Sequence, residues 1–478
     1  MRSPRSEAES DECHPGARML RRGFSPLKLF ATMFVLLCGG PFGLEEIVPL
    51  AGPGLFALVL IVMPVIWALP SALIVAELVS ELPVQGGTYQ WFRAGLGPFW
   101  SFIFTYLEWL AWAVDAAIYP ALVAGYLMQG FFDDPSPGLR PLICLAVIWG
   151  CAWLNVRGVK EVGSLSLVLT AVILVPVVAM IALSVPQMSL SAFTPLWPED
   201  QTPWTALNYA VIWAVWSYSG YSGLATASEE IVEPERTYPK MLAIFLPISV
   251  AVYVLSLWAG LTAAPDWQNW GPAHLSVAAF ALGGTLLATL IATAGQVSAI
   301  GLYNSEQLVL GRYVYAVARD GMLPPFLARL HPRHQTPHVA LLLHAVLFSV
   351  LVFAFDFVEL LLLGALVSVP AYILTFVSPL ILRWKYPNLR GPFRIPGGWP
   401  VIIFTAAMPC LTVVYLVVTA KLSSLIATGF FFSAAPLIYW AARAYNRRHG
   451  IDADASESVE LIQALEWGRA RPESDEPA

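Results

Sequence analysis

Apolar runs long enough to cross a bilayer recur along the chain at roughly 27–50, 54–80, 98–129, 139–156, 161–186, 204–230, 239–264, 273–306, 338–355, 358–384, 400–420 and 424–444. Short polar segments separate them. Because one helical span needs about 20 apolar residues, the pattern predicts an all-α integral membrane protein with 12 transmembrane helices. Residues 1–24 and 446–478 read as polar cytoplasmic tails around a membrane domain over 25–445. Val459, Ile462, Leu465 and Trp467 in the second tail fit either a short surface helix or a fraying end.

Two of the runs are interrupted. In the first, Cys38-Gly39-Gly40-Pro41-Phe42-Gly43-Leu44-Glu45-Glu46 places glycines, a proline and two acids about 21 Å along a helix that enters near Leu27, at roughly 1.5 Å per residue. In the sixth, small and hydroxyl residues run through Ser217-Tyr218-Ser219-Gly220-Tyr221-Ser222-Gly223, and Gly220 comes about 24 Å in from Trp204 by the same rise. One reading of Gly39 and Gly43 is a small-residue packing seam, with Pro41 adding a kink. The other is an unwound segment, which hydrocarbon tolerates only where protein or a watery cavity satisfies the freed backbone groups. The matching depth of the two breaks, five spans apart with inverted topology, favours the unwound segment and points to a transporter binding site.

The bare amides and carbonyls of such half-helix ends suit a ligand carrying both charges, as an amino acid does, or an amine. This makes Gly39, Gly40, Gly43, Tyr218, Ser219, Tyr221 and Ser222 candidate substrate-binding residues. Acids inside the spans add to them, since an ionisable group there faces a pathway or a partner. Glu108, Trp112, Asp115 and Tyr119 recur at helical spacing and share a face. Asp115 is a candidate for both the substrate amine and a coupling proton. Glu108 is a second proton candidate, though near enough to the inner end to be solvated or paired with a basic loop residue. Of Glu45 and Glu46, one is expected to face the cradle and the other outer water, and Glu46 joins the proton candidates. Glu77, Glu229 and Glu230 end spans, where charges are usually solvated or gating.

Composition fixes the class: 58% hydrophobic and 12% charged residues, with mean hydropathy +0.67, exclude an ordinary soluble enzyme or a nucleic-acid binder. With a cytoplasmic N-terminus, the outer loops hold only Arg140 and Lys421 of the 26 basic residues. That asymmetry places both termini on the cytoplasmic side, and a plasma or inner membrane is the expected location. The segment before the first span lacks a short apolar core with a cleavage site, so no signal peptide is read. Five cysteines without a CxxC pair give neither a disulfide framework nor a zinc site. His331, His334 and His338 have ligand-like spacing, but Pro332 and Pro337 break any helix that would align them. No cofactor or metal is expected.

The runs GGPFGLEE at 39–46, IWALPSALIVAELVSELPVQGGTYQW at 66–91 and GPFW at 97–100, with Asp115 followed by IYP at 118–120, resemble the amino acid/polyamine/organocation superfamily. They are most similar to its polyamine-uptake branch, which is related to L-type amino acid transporters. EEIVEPERTYPK at 229–240 and RDGMLPPF at 319–326 resemble loops of the same superfamily. The resemblance implies a leucine-transporter-like five-plus-five inverted repeat, with discontinuous helices 1 and 6, repeats over about 27–186 and 204–384, and two further helices over about 400–444. It also implies alternating access, usually proton-coupled, with Gly39, Gly40 and Gly43 on the substrate segment and Glu45 or Glu46 and Asp115 on acids that meet amines. Two positions depart from it. Polyamine-branch members often carry an aspartate where Ser222 stands, and many proton-coupled members carry a lysine where Ile173 stands. The loop around 130–140 has no cysteine for a heavy-chain disulfide, so no such partner is expected.

The sequence is thus read as a symporter of amino acids or polyamines. The alternatives are an exchanger or sodium-coupled carrier of the same fold, a nutrient sensor, and a membrane enzyme using Asp115 with His344.

Overall fold

The computed structural model describes residues 26–82, 87–131, 138–157, 162–225, 233–355, 357–420 and 422–450. Most of both tails, with the surface helix read near Val459, lies outside them, as do Glu229 and Glu230. Among the described residues every regular element is helical.

The first apolar run begins as α1 (Pro26–Met33), tightens into a π-helical turn (Phe34–Cys38), unwinds, and resumes as a 3₁₀ turn (Leu44–Glu46) and α2 (Val48–Ala51). The second comprises α3 (Pro53–Met63), a π turn at Pro64–Ala68 and α4 (Leu69–Glu81). A short amphipathic helix, α5 (Thr88–Leu96), precedes α6 (Pro98–Phe131). At roughly 1.5 Å per residue α6 is about 51 Å long, more than the apolar slab, so it tilts or projects from it. Then come α7 (Leu139–Arg157), α8 (Val162–Ser184), α9 (Pro203–Ser217), α10 (Tyr221–Ala225), α11 (Pro234–Ala263) and α12 (His274–Arg319). The last are α13 (His338–Ala354), α14 (Phe357–Val367), α15 (Val369–Lys385), α16 (Gly398–Thr419) and α17 (Leu422–Arg448).

Seven of these segments are long and apolar enough to cross a membrane, or eight when α14 and α15, bent by 41°, are taken as one span. The difference from twelve apolar runs has a physical cause in two of them. Hydropathy continues through the first and sixth runs, but their helices are cut by the breaks into pieces too short to span. The eighth run differs in its ends. Gly283 and Gly284 leave helical geometry, and the helix then continues to Arg319 rather than stopping near 306. Polar residues past that point face protein: Gln307 is buried and its Oε1 accepts from Asn155 Nδ2 at 3.2 Å.

The bundle is apolar outside as well as in its core, and polar groups are gathered at a few buried places. Val168, Val172, Val175 and Val178 form an exposed stripe on α8 at helical spacing, and Val401, Phe404, Leu411, Val414 and Val418 line exposed positions on α16. In water such stripes are a liability, whereas against lipid they cost nothing. Polar pairs tie the interior. Glu77, read from sequence as an interfacial charge, is instead fully buried, bound bidentately by Arg383 at 2.7 Å on both oxygens and by the Ile395 amide at 2.7 Å. Arg93 of α5 meets Asp320, past the end of α12, at 2.8 Å, and Asn446 of α17 donates to the Gly321 carbonyl at 2.6 Å. These contacts fix α5, α12 and α17 around the end of α6.

Candidate functional site

Both sequence breaks are real interruptions, and glycine geometry makes them. Gly39, Gly40 and Gly43 take φ of +60°, +98° and +87°, and Gly220 takes +91°, a region where a side chain would be strained. At Gly40 an added Cβ would also press on the side chains of Phe42 and Ile173. The freed carbonyls find donors, as burial demands. The Tyr253 hydroxyl of α11 lies 3.2 Å from both the Cys38 carbonyl of the first break and the Ser217 carbonyl of the second, so one phenol joins the two. Ser298 of α12 donates to the Gly39 carbonyl, and Tyr238 to that of Tyr221.

Between the breaks lies a cavity with about 120 Å³ accessible to the centres of water molecules. A single water needs roughly 10–15 Å³ by that measure, so a small organic ligand fits. The predicted face of α6 forms one wall, with Glu108, Trp112, Asp115 and Tyr119 all lining it. Gly40, Ser219, Gly220, Tyr221 and Ser222 line it from the breaks, with Trp67 and Ser71 at the second span and Tyr372 on α15. Trp67 donates to the Ser219 hydroxyl at 3.0 Å, holding the second break open towards the space.

Other candidates fall elsewhere. Gly39 lies behind the wall, with its amide spent on the Phe34 carbonyl at 2.8 Å and its carbonyl on Ser298. Gly43 faces Phe357 and Leu122. After it the chain winds tightly, which carries Glu45 away from the cavity and against α6, where the Tyr126 hydroxyl donates to it. Glu46 is half-buried and also off the wall, so neither acid faces the cradle. Tyr218 sends its hydroxyl 3.0 Å to the Leu60 carbonyl of α3 and serves as a strut.

Glu108 is neither solvated nor paired with a base. It is 5% exposed, takes the Thr88 hydroxyl at 2.6 Å and the Ser222 hydroxyl at 3.2 Å, and Thr88 in turn meets Tyr313 at 2.8 Å. This joins α5, α6, α12 and the second break at one end of the cavity. At the other end Trp216 donates its indole N–H to Asp115.

Sequence reasoning missed Glu306. It lines the cavity from α12, is 1% exposed, and accepts the Tyr119 hydroxyl at 3.0 Å, while the same hydroxyl lies 3.4 Å from Asp115. A signal for it existed. Gly295, Ser298, Ala299, Leu302 and Glu306 share one helical face, mostly of small residues and ending in an acid, but an apolar run that ends at 306 makes the glutamate look like its boundary.

The wall therefore carries three carboxyls and, among the described residues, no Lys, Arg or His. His331 and His334, whose rings lie 4.8 Å apart, do not line it. No group of three or more His, Cys, Asp or Glu suited to a metal occurs among the described residues.

The sequence profile of the amino acid permease family matches residues 27–442. A protein of Arabidopsis thaliana described as a probable polyamine transporter is 30% identical over 428 residues, 88% of this chain and 84% of that relative. The polyamine transporter RMV1 of the same plant is 30% identical over 378 residues, 78% of this chain and 75% of its own length. The large neutral amino acids transporter small subunit 2 of Rattus norvegicus is 28% identical over 364 residues, covering 73% of this chain and 67% of its own.

Proposed function

The chain belongs to the amino acid permease family, and we propose that it is a secondary active transporter that carries a cationic amine, a polyamine such as putrescine or spermidine, by alternating access in symport with protons. It is a carrier rather than an enzyme. The observation behind this reading is the cavity wall of Glu108, Asp115 and Glu306 without a base. Buried carboxylates need compensating charge, and here the cargo and a proton supply it. The Ser222 position, where the resemblance leads one to look for an aspartate, then matters less. Ser222 serves Glu108 as a hydrogen-bond donor, and Glu306 of α12 brings the additional acid.

Twelve spans in a five-plus-five inverted repeat agree with the packing. Helices of the second, third and fourth spans lie against those of the seventh, eighth and ninth: α4 on α11, α6 on α12, α7 on α13. The outer piece of the first span, α2, lies against α9 of the sixth. A repeat related by a twofold axis in the membrane plane makes such partners meet. The basic residues favour both termini in the cytoplasm; a plasma or inner membrane is the expected location, and the loop around 130–140 offers no cysteine for a disulfide-linked heavy chain.

A second reading, an amino acid permease or exchanger, is favoured by Gly40. Its place on the cavity wall without a side chain leaves backbone near the space for a substrate carboxylate.

The test is uptake into proteoliposomes of putrescine, spermidine and neutral amino acids under an imposed pH gradient, with sodium and then choline outside. Putrescine and spermidine are expected to accumulate when the outside is more acidic, and replacing sodium by choline is expected to change uptake by less than about twofold. Uptake of neutral amino acids alone would transfer the protein to the second reading. Dependence on sodium would replace the proton as the coupling ion.

A further inference from the structure

Of the three acids in the cavity wall, two touch. The carboxyls of Asp115 on α6 and Glu306 on α12 are in hydrogen-bonding contact, and the Tyr119 hydroxyl lies between them, 3.4 Å from one and 3.0 Å from the other. A phenol has one proton to give, so it serves a single carboxyl at a time. No Lys or Arg pairs with either acid among the described residues. The other titratable groups facing the pair are the phenols of Tyr253 on α11, Tyr303 on α12 and Tyr372 on α15, with Glu108 two helical turns away on α6. None of them is a cation. Two adjacent carboxylates in such surroundings repel each other unless a proton or a cation joins them.

The two acids are not equivalent. Asp115 receives the Trp216 indole N–H and is partly open to the cavity, so it is dressed as the ionised partner. Glu306 is buried, and no donor reaches its Oε2. An oxygen that nothing donates to, on a carboxyl touching a carboxylate, is placed to be the donor itself.

We propose that Glu306 holds the coupling proton, shared with ionised Asp115, while Asp115 takes the substrate ammonium from the cavity. This rests on the transport reading and adds to it the seat of the proton. The proton comes from outer water while the cavity faces out, and leaves Glu306 for inner water once the cavity opens inward. The charges close: three carboxylates are offset by one proton and the two ammonium groups of a diamine, the second of which meets Glu108. Glu108 and Asp115 are separated by about 10.5 Å of helix rise, a span suited to a short diamine with a hydrogen bond of about 2.8 Å at each end. Closing the carrier over this load leaves no net charge buried at the site.

Glu306→Gln tests it, because the amide keeps an N–H donor towards Asp115 and has no proton to release. In proteoliposomes with a trapped pH dye, the unaltered protein is expected to acidify the lumen when putrescine is added outside and to accumulate putrescine under an inward acid gradient. Glu306→Gln is expected to lose luminal acidification on putrescine addition and accumulation under the acid gradient, with the pH dependence of KM flattened. Glu306→Asp, which restores a titratable proton, is expected to recover coupling in part. Acidification by Glu306→Gln equal to the parent would overturn the proposal. Infrared difference spectra without any amine supply an independent measurement: a protonated-carboxyl stretch present in the parent and missing from Glu306→Gln supports the assignment, and an identical band in both proteins refutes it. A parent that shows the band but moves no amine refutes the transport reading instead, and the coupling role with it.

Discussion

Replacing Asp115 by asparagine is expected to lower putrescine uptake, read as kcat/KM, by about 100-fold or more, with the protein still monodisperse and folded. The substitution keeps size and shape, and an amide oxygen still accepts from Trp216, so the wall of the cavity should persist. What disappears is the one wall carboxylate that is both partly open to the cavity and in contact with Glu306. Removing one member of a buried ion pair costs about 3–5 kcal/mol, and every 1.4 kcal/mol is about tenfold, so 100-fold is the modest end of the range. Glu108→Gln is the informative companion. Thr88 and Ser222 already donate to Glu108, so its loss should weaken diamines more than monoamines and should spare proton movement. Initial rates of labelled putrescine uptake, with butylamine as the monoamine, check both. Uptake by Asp115→Asn equal to the parent removes Asp115 from the mechanism.

How far the site was legible from the residues depends on the kind of signal each carries. Gly39, Gly40 and Gly220 announced the two breaks because glycine in an apolar run has few reasons to be there, and positive φ is one of them. Asp115 and Glu108 could be placed on one face by helical spacing alone, since α6 is long and unbroken. Which way a residue points after a break is another matter. Two turns of different pitch follow Gly43, and they send Glu45 to Tyr126 rather than to the cavity. Tyr218 lies one residue from Ser219 yet reaches the opposite neighbour, α3. Glu306 was lost for a third reason: hydropathy cannot tell a polar residue that ends a span from one that faces a polar interior. Glu77 was misjudged in the same way, because its partner Arg383 is about 300 positions away in the sequence, beyond any local pattern.

That pair carries the largest expected effect on stability. Arg383 reaches Glu77 with two hydrogen bonds of 2.7 Å, and the Glu77 carboxylate also takes the Ile395 amide at 2.7 Å, while Arg383 donates to the Ile395 carbonyl at 3.2 Å. Both side chains are buried, at 4% and 0% exposure. They link α4, α15 and the segment leading into α16, so the geometry is set by three separate parts of the chain. Arg383→Met strands a carboxylate where water does not reach, and a loss of about 3–5 kcal/mol is expected. Glu77→Gln keeps an acceptor for the Ile395 amide, yet leaves the guanidinium without its counter-charge, and should cost a similar amount. The double variant Glu77→Leu with Arg383→Met removes both charges together, and more than half of the lost stability should return. Because membrane proteins of this size tend to unfold irreversibly, the quantity to compare is the half-life of the monodisperse form in detergent at one elevated temperature. A double variant no longer-lived than Arg383→Met would mean that the pair is needed for the position of the Ile395 strand of chain itself, and that charge balance alone does not hold this face together.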